Sequence, residues 1–159
     1  MCRQDQHRDA AGRGVNRAHA ILQIATPLVW LGMVLGISVL ETPLKFRAPG
    51  ITRALGLGIG RLVFRALNLT ELVLLTVCTL ALLGASPSRW VVALTASLWA
   101  VLLVQLLGLR PALDRRASLI IDGATPPRSS LHHLYIVLEG LKILSLPTLA
   151  TLLLMAVLP

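Results

Sequence analysis

At 159 residues the chain is long enough for one compact unit, and 55% of it is hydrophobic while 14% is charged, against roughly 25% charged residues in an ordinary soluble domain. So few charges do not cover that much apolar surface in water, and the mean hydropathy of +0.77 points to a bilayer. The 15 Lys and Arg outnumber the 7 Asp and Glu, but they sit in a tail and between apolar runs, with no basic stripe and no interleaved aromatics, which argues against nucleic acid and for cations flanking membrane-crossing helices.

In chain order, residues 1–18 read as a polar basic tail and residues 19–159 as a single transmembrane domain. The expected architecture is all-α: an integral membrane four-helix bundle with spans at about 19–40, 69–83, 87–108 and 131–158, and an interfacial amphipathic helix at about 51–67 between spans one and two. The first apolar run extends to Leu40. That is longer than the apolar core of a cleaved signal peptide, so it reads as a retained span. Pro27 lies in its first third and either kinks the helix or marks a late start. Gly32 and Gly36 form a G-x-x-x-G pair, a pattern that lets helix backbones approach closely in lipid.

The stretch from Glu41 to Gly50 holds Pro43 and Pro49, which should keep it from forming one helix. From Ile51 to Leu67 apolar residues mix with Arg53, Arg61 and Arg65, the last two one helical turn apart, as in a helix lying at the interface. Lys45, Arg47, Arg53, Arg61 and Arg65 are candidate partners for lipid phosphates. Gly56, Gly58 and Gly60 follow no strand and are not a nucleotide loop; close packing or a hinge accounts for them better. Asn68-Leu69-Thr70-Glu71 matches a capping box that would start span two. A start there makes span two short, so the helix can also run back into the amphipathic segment and tilt.

Gly84-Ala85-Ser86-Pro87 reads as a tight turn, with Ser86 capping span three and Pro87 in its first turn. Ala93, Ala96, Ser97 and Ala100 offer a small-residue packing face. Arg110 to Arg128 reads as a polar loop, and Ser129 or Ser130 caps span four, in which Pro147 introduces a kink. Cys2 and Cys78 form no C-x-x-C pair, which argues against thiol redox chemistry.

Span four carries the strongest chemical signal. His132, Tyr135, Glu139 and Lys142 are spaced by 3, 4 and 3 and so share one helix face. At 1.5 Å per residue Glu139 lies roughly 12 Å along the helix and Lys142 roughly 16 Å, near the middle of a hydrocarbon core about 30 Å thick. Ionisable groups there are costly and mark functional sites by default. Two accounts stand side by side. In the first, Glu139 pairs with Lys142, Tyr135 bonds to Glu139 and the stripe is internal glue. In the second, Glu41, Glu71, His132, Tyr135, Glu139 and Lys142 build a pocket at one end of the bundle for a ligand, an ion or a proton path. Haem or metal ligation would rest on His132 with a partner from another helix, because His132 and His133 point about 100° apart; no metal set is evident from spacing. No hydrolase elbow, zinc motif or phosphate loop occurs, so an enzyme is the weakest class.

The loops at 41–68 and 110–130 hold nine Lys and Arg against five in the tail and the turn at Arg89, which places those loops in the cytoplasm and the chain in a bacterial inner membrane. Its partners would be the lipid bilayer and other membrane subunits or further copies of itself. The arrangement Pro43-Leu44-Lys45-Phe46, then Gly50, then Leu62-Val63-Phe64, then Glu71 resembles the transmembrane protein 205-like family, as does His132 just before a polar-containing last helix. The resemblance covers most of the layout but few identities. The chain departs from it near Phe64, where Arg65-Ala66-Leu67 stands in place of an aromatic Pro-x-Tyr-type run. It implies a small four-span fold and no defined activity.

Overall fold

Long leucine-rich runs interrupted by few turn residues leave helix as the structure that satisfies every backbone group locally. The computed structural model describes residues 2–83, 85–127 and 129–157, with side chains from residue 18 onward. It is helical in every described element: α1 (Cys2–Val34), a π-helical stretch (Leu35–Glu41), α2 (Thr42–Lys45), α3 (Arg53–Leu82), α4 (Arg89–Leu103), a second π-helical stretch (Val104–Leu109), α5 (Arg110–Ile121) and α6 (Leu131–Val157). Among the described residues four continuous helices are long and apolar enough to cross a membrane: Ala18–Lys45, Arg53–Leu82, Arg89–Ile121 and Leu131–Val157. The first packs against the second and the fourth, and the third against the second and the fourth, so they follow one another around the bundle in chain order.

Several boundaries differ from the sequence reading. No helix starts at Asn68. Thr52 is the cap instead, accepting from the Leu55 amide at 3.2 Å, and the segment 53–67 is the first half of one 30-residue helix, not a separate amphipathic one. The cap of α4 is Ser88, which accepts from the Val91 amide at 3.4 Å, not Ser86. Ser129 caps α6 through the Leu131 amide at 3.2 Å. Arg110 to Ile121 is helix, not loop. It stops at Gly123, whose φ of +87° sets up a Schellman ending with Gly123 N–H on Ile120 O and Ala124 N–H on Leu119 O.

Pro43 does not end the first long helix, which continues to Lys45. Each π stretch ends just ahead of a proline, Pro43 or Pro111. Proline withholds an amide hydrogen and its ring crowds the carbonyl four residues back; the wider π turn, with i to i+5 spacing, makes room for it. Thr42 follows the same spacing, its hydroxyl donating to Ile37 O at 3.0 Å. Proline alone does not dictate the change, since Pro27 and Pro147 lie inside α1 and α6.

The core is apolar around Trp30, Val34, Leu75, Leu98, Leu102 and Leu149. Much of the surface is apolar as well: Leu62, Leu107 and Leu144 are each more than two-thirds exposed. Hydroxyls on the helices turn back on their own backbone, as with Thr76 on Leu72 O, Thr95 on Val91 O and Thr148 on Leu144 O, each at 2.8 Å. The expected close approach at Gly32 and Gly36 is not made among the described residues, for a Cβ at either would meet nothing within 4 Å. Ala93, Ala96, Ser97 and Ala100 are likewise exposed. Two other glycines do pack closely: a Cβ at Gly56 would run into the Phe46 ring, and one at Gly60 would lie 3.2 Å from Lys45 Nζ.

Candidate functional site

Two polar features occupy one half of the bundle. The deeper one is centred on Lys142, whose side chain is 0% exposed and which donates to Glu71 Oε1 at 2.5 Å and to Glu139 Oε1 at 2.7 Å. All four long helices contribute to it. Trp30 Nε1 donates to Glu71 Oε1 at 2.8 Å, Ser38 Oγ to Glu139 Oε2 at 2.9 Å, and Gln105 Nε2 to Glu139 Oε1 at 2.9 Å. One turn away Tyr135 donates to Asn68 Oδ1 at 3.0 Å. Both donors that reach Glu139 from other helices, Ser38 and Gln105, stand on π stretches, so the widened turns aim them. Three buried polar atoms in this region have no hydrogen-bond partner among the described residues: Asn68 Nδ2, Glu71 Oε2 and Gln105 Oε1.

The second feature is a cavity of about 510 Å³ at the end of the bundle where residues 42–61 meet residues 110–135. Its walls include Phe46, Leu57, Phe64, Leu113 and Ile120, with His132, His133 and Tyr135 from α6. Among the described residues five cations line it, Lys45, Arg53, Arg61, Arg110 and Arg116, against one carboxylate, Asp114. Asp114 lies 3.8 Å from Arg61 and 3.5 Å from Arg110. Glu41 pairs with Lys45 at 3.2 Å, which leaves three positive charges in surplus. Phe64 organises the wall: Tyr135 meets its ring edge-on at 5.6 Å, Lys45 lies 5.6 Å and Arg110 5.9 Å from its centroid, distances at which a cation is attracted to a ring face. Arg110 also donates to Arg61 O at 3.0 Å, and Arg61 to Ser118 Oγ at 2.9 Å. Arg53 has no hydrogen-bond or ion-pair partner among the described residues. Its charge is available to a ligand.

The residues proposed from sequence therefore separate into two groups. Glu71, Glu139 and Lys142 come together in a closed, buried cluster, where Glu139 and Lys142 pair as expected. Glu71 belongs to that cluster and does not act as a helix cap. Tyr135 bonds to Asn68 and not to Glu139. His132 and Tyr135 line the cavity, and Glu41 touches it only through Lys45. Of the phosphate-binding candidates, Lys45, Arg53 and Arg61 face the cavity, while Arg47 and Arg65 are exposed and lie outside its lining. The His132 and His133 rings stand 6.5 Å apart, edge to face. No group of three His, Cys, Asp or Glu among the described residues is placed to hold a metal ion.

Sequence reasoning passed over Trp30, Ser38, Gln105 and Arg110. Gln105 carried a usable signal, since a lone amide in an apolar run needs a partner inside the bundle. Ser38 carried none, because serine is common in such helices. No protein-family model, no curated protein and no solved structure matches the chain.

Proposed function

We propose that the chain is an integral membrane protein that holds an anionic amphiphile, a molecule with a phosphate or carboxylate head and an apolar body, in the cavity between Phe46, Phe64 and His132. The single observation that carries this reading is the surplus of cations on an otherwise apolar cavity. Its volume is of the size that takes a small organic ligand. Guanidinium groups suit phosphate and carboxylate through paired, planar hydrogen bonds, and Arg53 has no competing partner among the described residues.

Insertion in a membrane is supported by an inverted distribution of polarity. Leucines are spread over the outside, whereas Glu71, Gln105 and Lys142 are each 0% exposed, the reverse of a soluble domain. The surplus of Lys and Arg at the cavity end favours a cytoplasmic position for that end in a bacterial inner membrane, where the first half of α3 would lie near the interface. The likeness of layout to the transmembrane protein 205-like family belongs to the same proposal.

The test is thermal stability in a neutral maltoside detergent with dodecyl phosphate added. The protein should be stabilised by dodecyl phosphate and not by further maltoside, and Arg53→Gln with Arg61→Gln should remove most of the gain. Equal stabilisation of wild type and double variant would refute the reading. One observation favours an alternative, an accessory subunit of a larger membrane complex: the small residues Ala93, Ala96, Ser97 and Ala100 form an exposed face on α4, of the kind that packs against another helix in lipid. Stoichiometric larger subunits in a gentle purification from native membrane would favour that alternative.

A further inference from the structure

We infer that the buried cluster is a proton-binding site, in which Glu71, Glu139 and Lys142 together hold one proton on Oε2 of Glu71. This proton is independent of what fills the cavity, because the charges and hydrogens inside the bundle determine it.

Charge alone calls for a proton. Two carboxylates share one ammonium, and the side chains are 0% (Lys142), 0% (Glu71) and 6% (Glu139) exposed. The groups that reach the carboxylates from the other helices are neutral: the Trp30 indole and Ser38 hydroxyl from the first long helix and the Gln105 amide from the third. On α3 the neighbour one turn away is the Asn68 amide, and on α6 it is the Tyr135 phenol, bonded to that amide. Among the described residues no further cation forms an ion pair with Glu71 or Glu139. Fully ionised, the cluster carries one uncompensated negative charge out of reach of water. Such a charge is so costly in low dielectric that the group takes up a proton instead.

The hydrogen inventory decides where the proton goes. Glu139 receives three donors over both oxygens, from Ser38, Gln105 and Lys142. That is the environment of an ionised carboxylate. Glu71 receives Trp30 and Lys142, both on Oε1, and its Oε2 is buried without a donor. Gln105 Oε1 is a second buried acceptor without a donor, while Asn68 Nδ2 is the one buried side-chain donor without a partner among the described residues. The cluster is short of hydrogens, not of acceptors. A proton on Glu71 Oε2 supplies one where it is missing, leaves Oε1 to Trp30 and Lys142, and brings the net charge to zero. A metal cation suits the place less well, because the Lys142 ammonium already occupies the position between the two carboxylates.

The chain has three glutamates, Glu41, Glu71 and Glu139, so the question can be put to the whole protein by labelling glutamate with ¹³C at the side-chain carboxyl carbon. Infrared difference spectra on H/D exchange, recorded at pH 7 in detergent micelles, separate protonated carboxyl from carboxylate. One protonated carboxyl is expected in the wild type, and it is lost in Glu71→Gln and in Glu139→Gln alike, because either change leaves one carboxylate to balance the Lys142 ammonium. A wild-type spectrum with three carboxylates and no protonated group overturns the inference, whether or not the variants fold. A protonated band that survives in Glu71→Gln overturns the assignment to Glu71. A band that appears only when sodium and potassium are replaced by choline would assign the site to an alkali metal ion and overturn the proton.

Discussion

Replacing Lys142 by methionine keeps the length of the side chain and removes the ammonium that Glu71 and Glu139 share. Two buried ion pairs, at 2.5 and 2.7 Å, are lost at once. Removing one partner of a buried pair costs about 3–5 kcal/mol, because the remaining charge is left uncompensated. Glu71 already carries a proton, so Glu139 is the one charge left uncompensated and the expected loss is about 3–5 kcal/mol and not twice that. At roughly 2–4 °C per kcal/mol for a chain of this size, the midpoint of thermal unfolding in mild detergent should fall by roughly 6–20 °C. The triple variant Lys142→Met with Glu71→Gln and Glu139→Gln removes every charge of the cluster and should recover more than half of that loss. Circular dichroism melts of the two variants beside the wild type read this directly. If Lys142→Met melts within about 1 °C of the wild type, or if single and triple variants melt together, the cluster does not act as a buried charge network.

Three further outcomes are expected. Trp30→Phe takes the indole donor from Glu71 Oε1 and should cost about 1–3 kcal/mol, read as the shift of a denaturation midpoint. Gly56→Val would push its side chain into the Phe46 ring, costing about 1–3 kcal/mol through overpacking and narrowing the cavity, so dodecyl phosphate should stabilise it less than it stabilises the wild type. Asp114→Asn removes a part-exposed carboxylate whose ion pairs at 3.5 and 3.8 Å are worth at most about 1 kcal/mol. It should leave the melt nearly unchanged and tighten binding of dodecyl phosphate in a titration.

The four long helices are legible in the sequence because a run of some 20 apolar residues has few other fates. The inward face of the last helix is legible too: spacings of 3, 4 and 3 put Tyr135, Glu139 and Lys142 on one side, and all three are buried, while His132 stays exposed at the end of the same stripe. Glu71 misleads because a local pattern competes with a distant partner. Asn68 to Glu71 looks like a capping box, and nothing near it indicates a lysine 71 residues further on. The helix α5 is hidden because Arg110 to Ile121 is polar enough to pass for loop, although Gly123 marks its stop. Gly32 and Gly36 carry a packing pattern that meets no partner within the described chain. Ser38 and Gln105 cannot be aimed at Glu139 by counting 3.6 residues per turn, since each stands where the helix is wound more widely.

Those two wide turns also bear on how the gene can change. A π stretch holds one more residue than the α-helical turns it replaces, and each residue in a helix rotates the chain beyond it by about 100° and advances it by about 1.5 Å. Deleting one codon within Leu35–Glu41 or Val104–Leu109 would restore ordinary winding. The helix beyond would keep roughly its direction, but Ser38 or Gln105 would be drawn out of the widened turn and away from Glu139. A deletion of the same size in the connections at 85–87 or 124–127 leaves the winding of every helix as it is. The same mutational event is therefore expected to be tolerated in the turns and damaging at mid-helix, so the chain's fragile points lie in its regular helices and not in its loops.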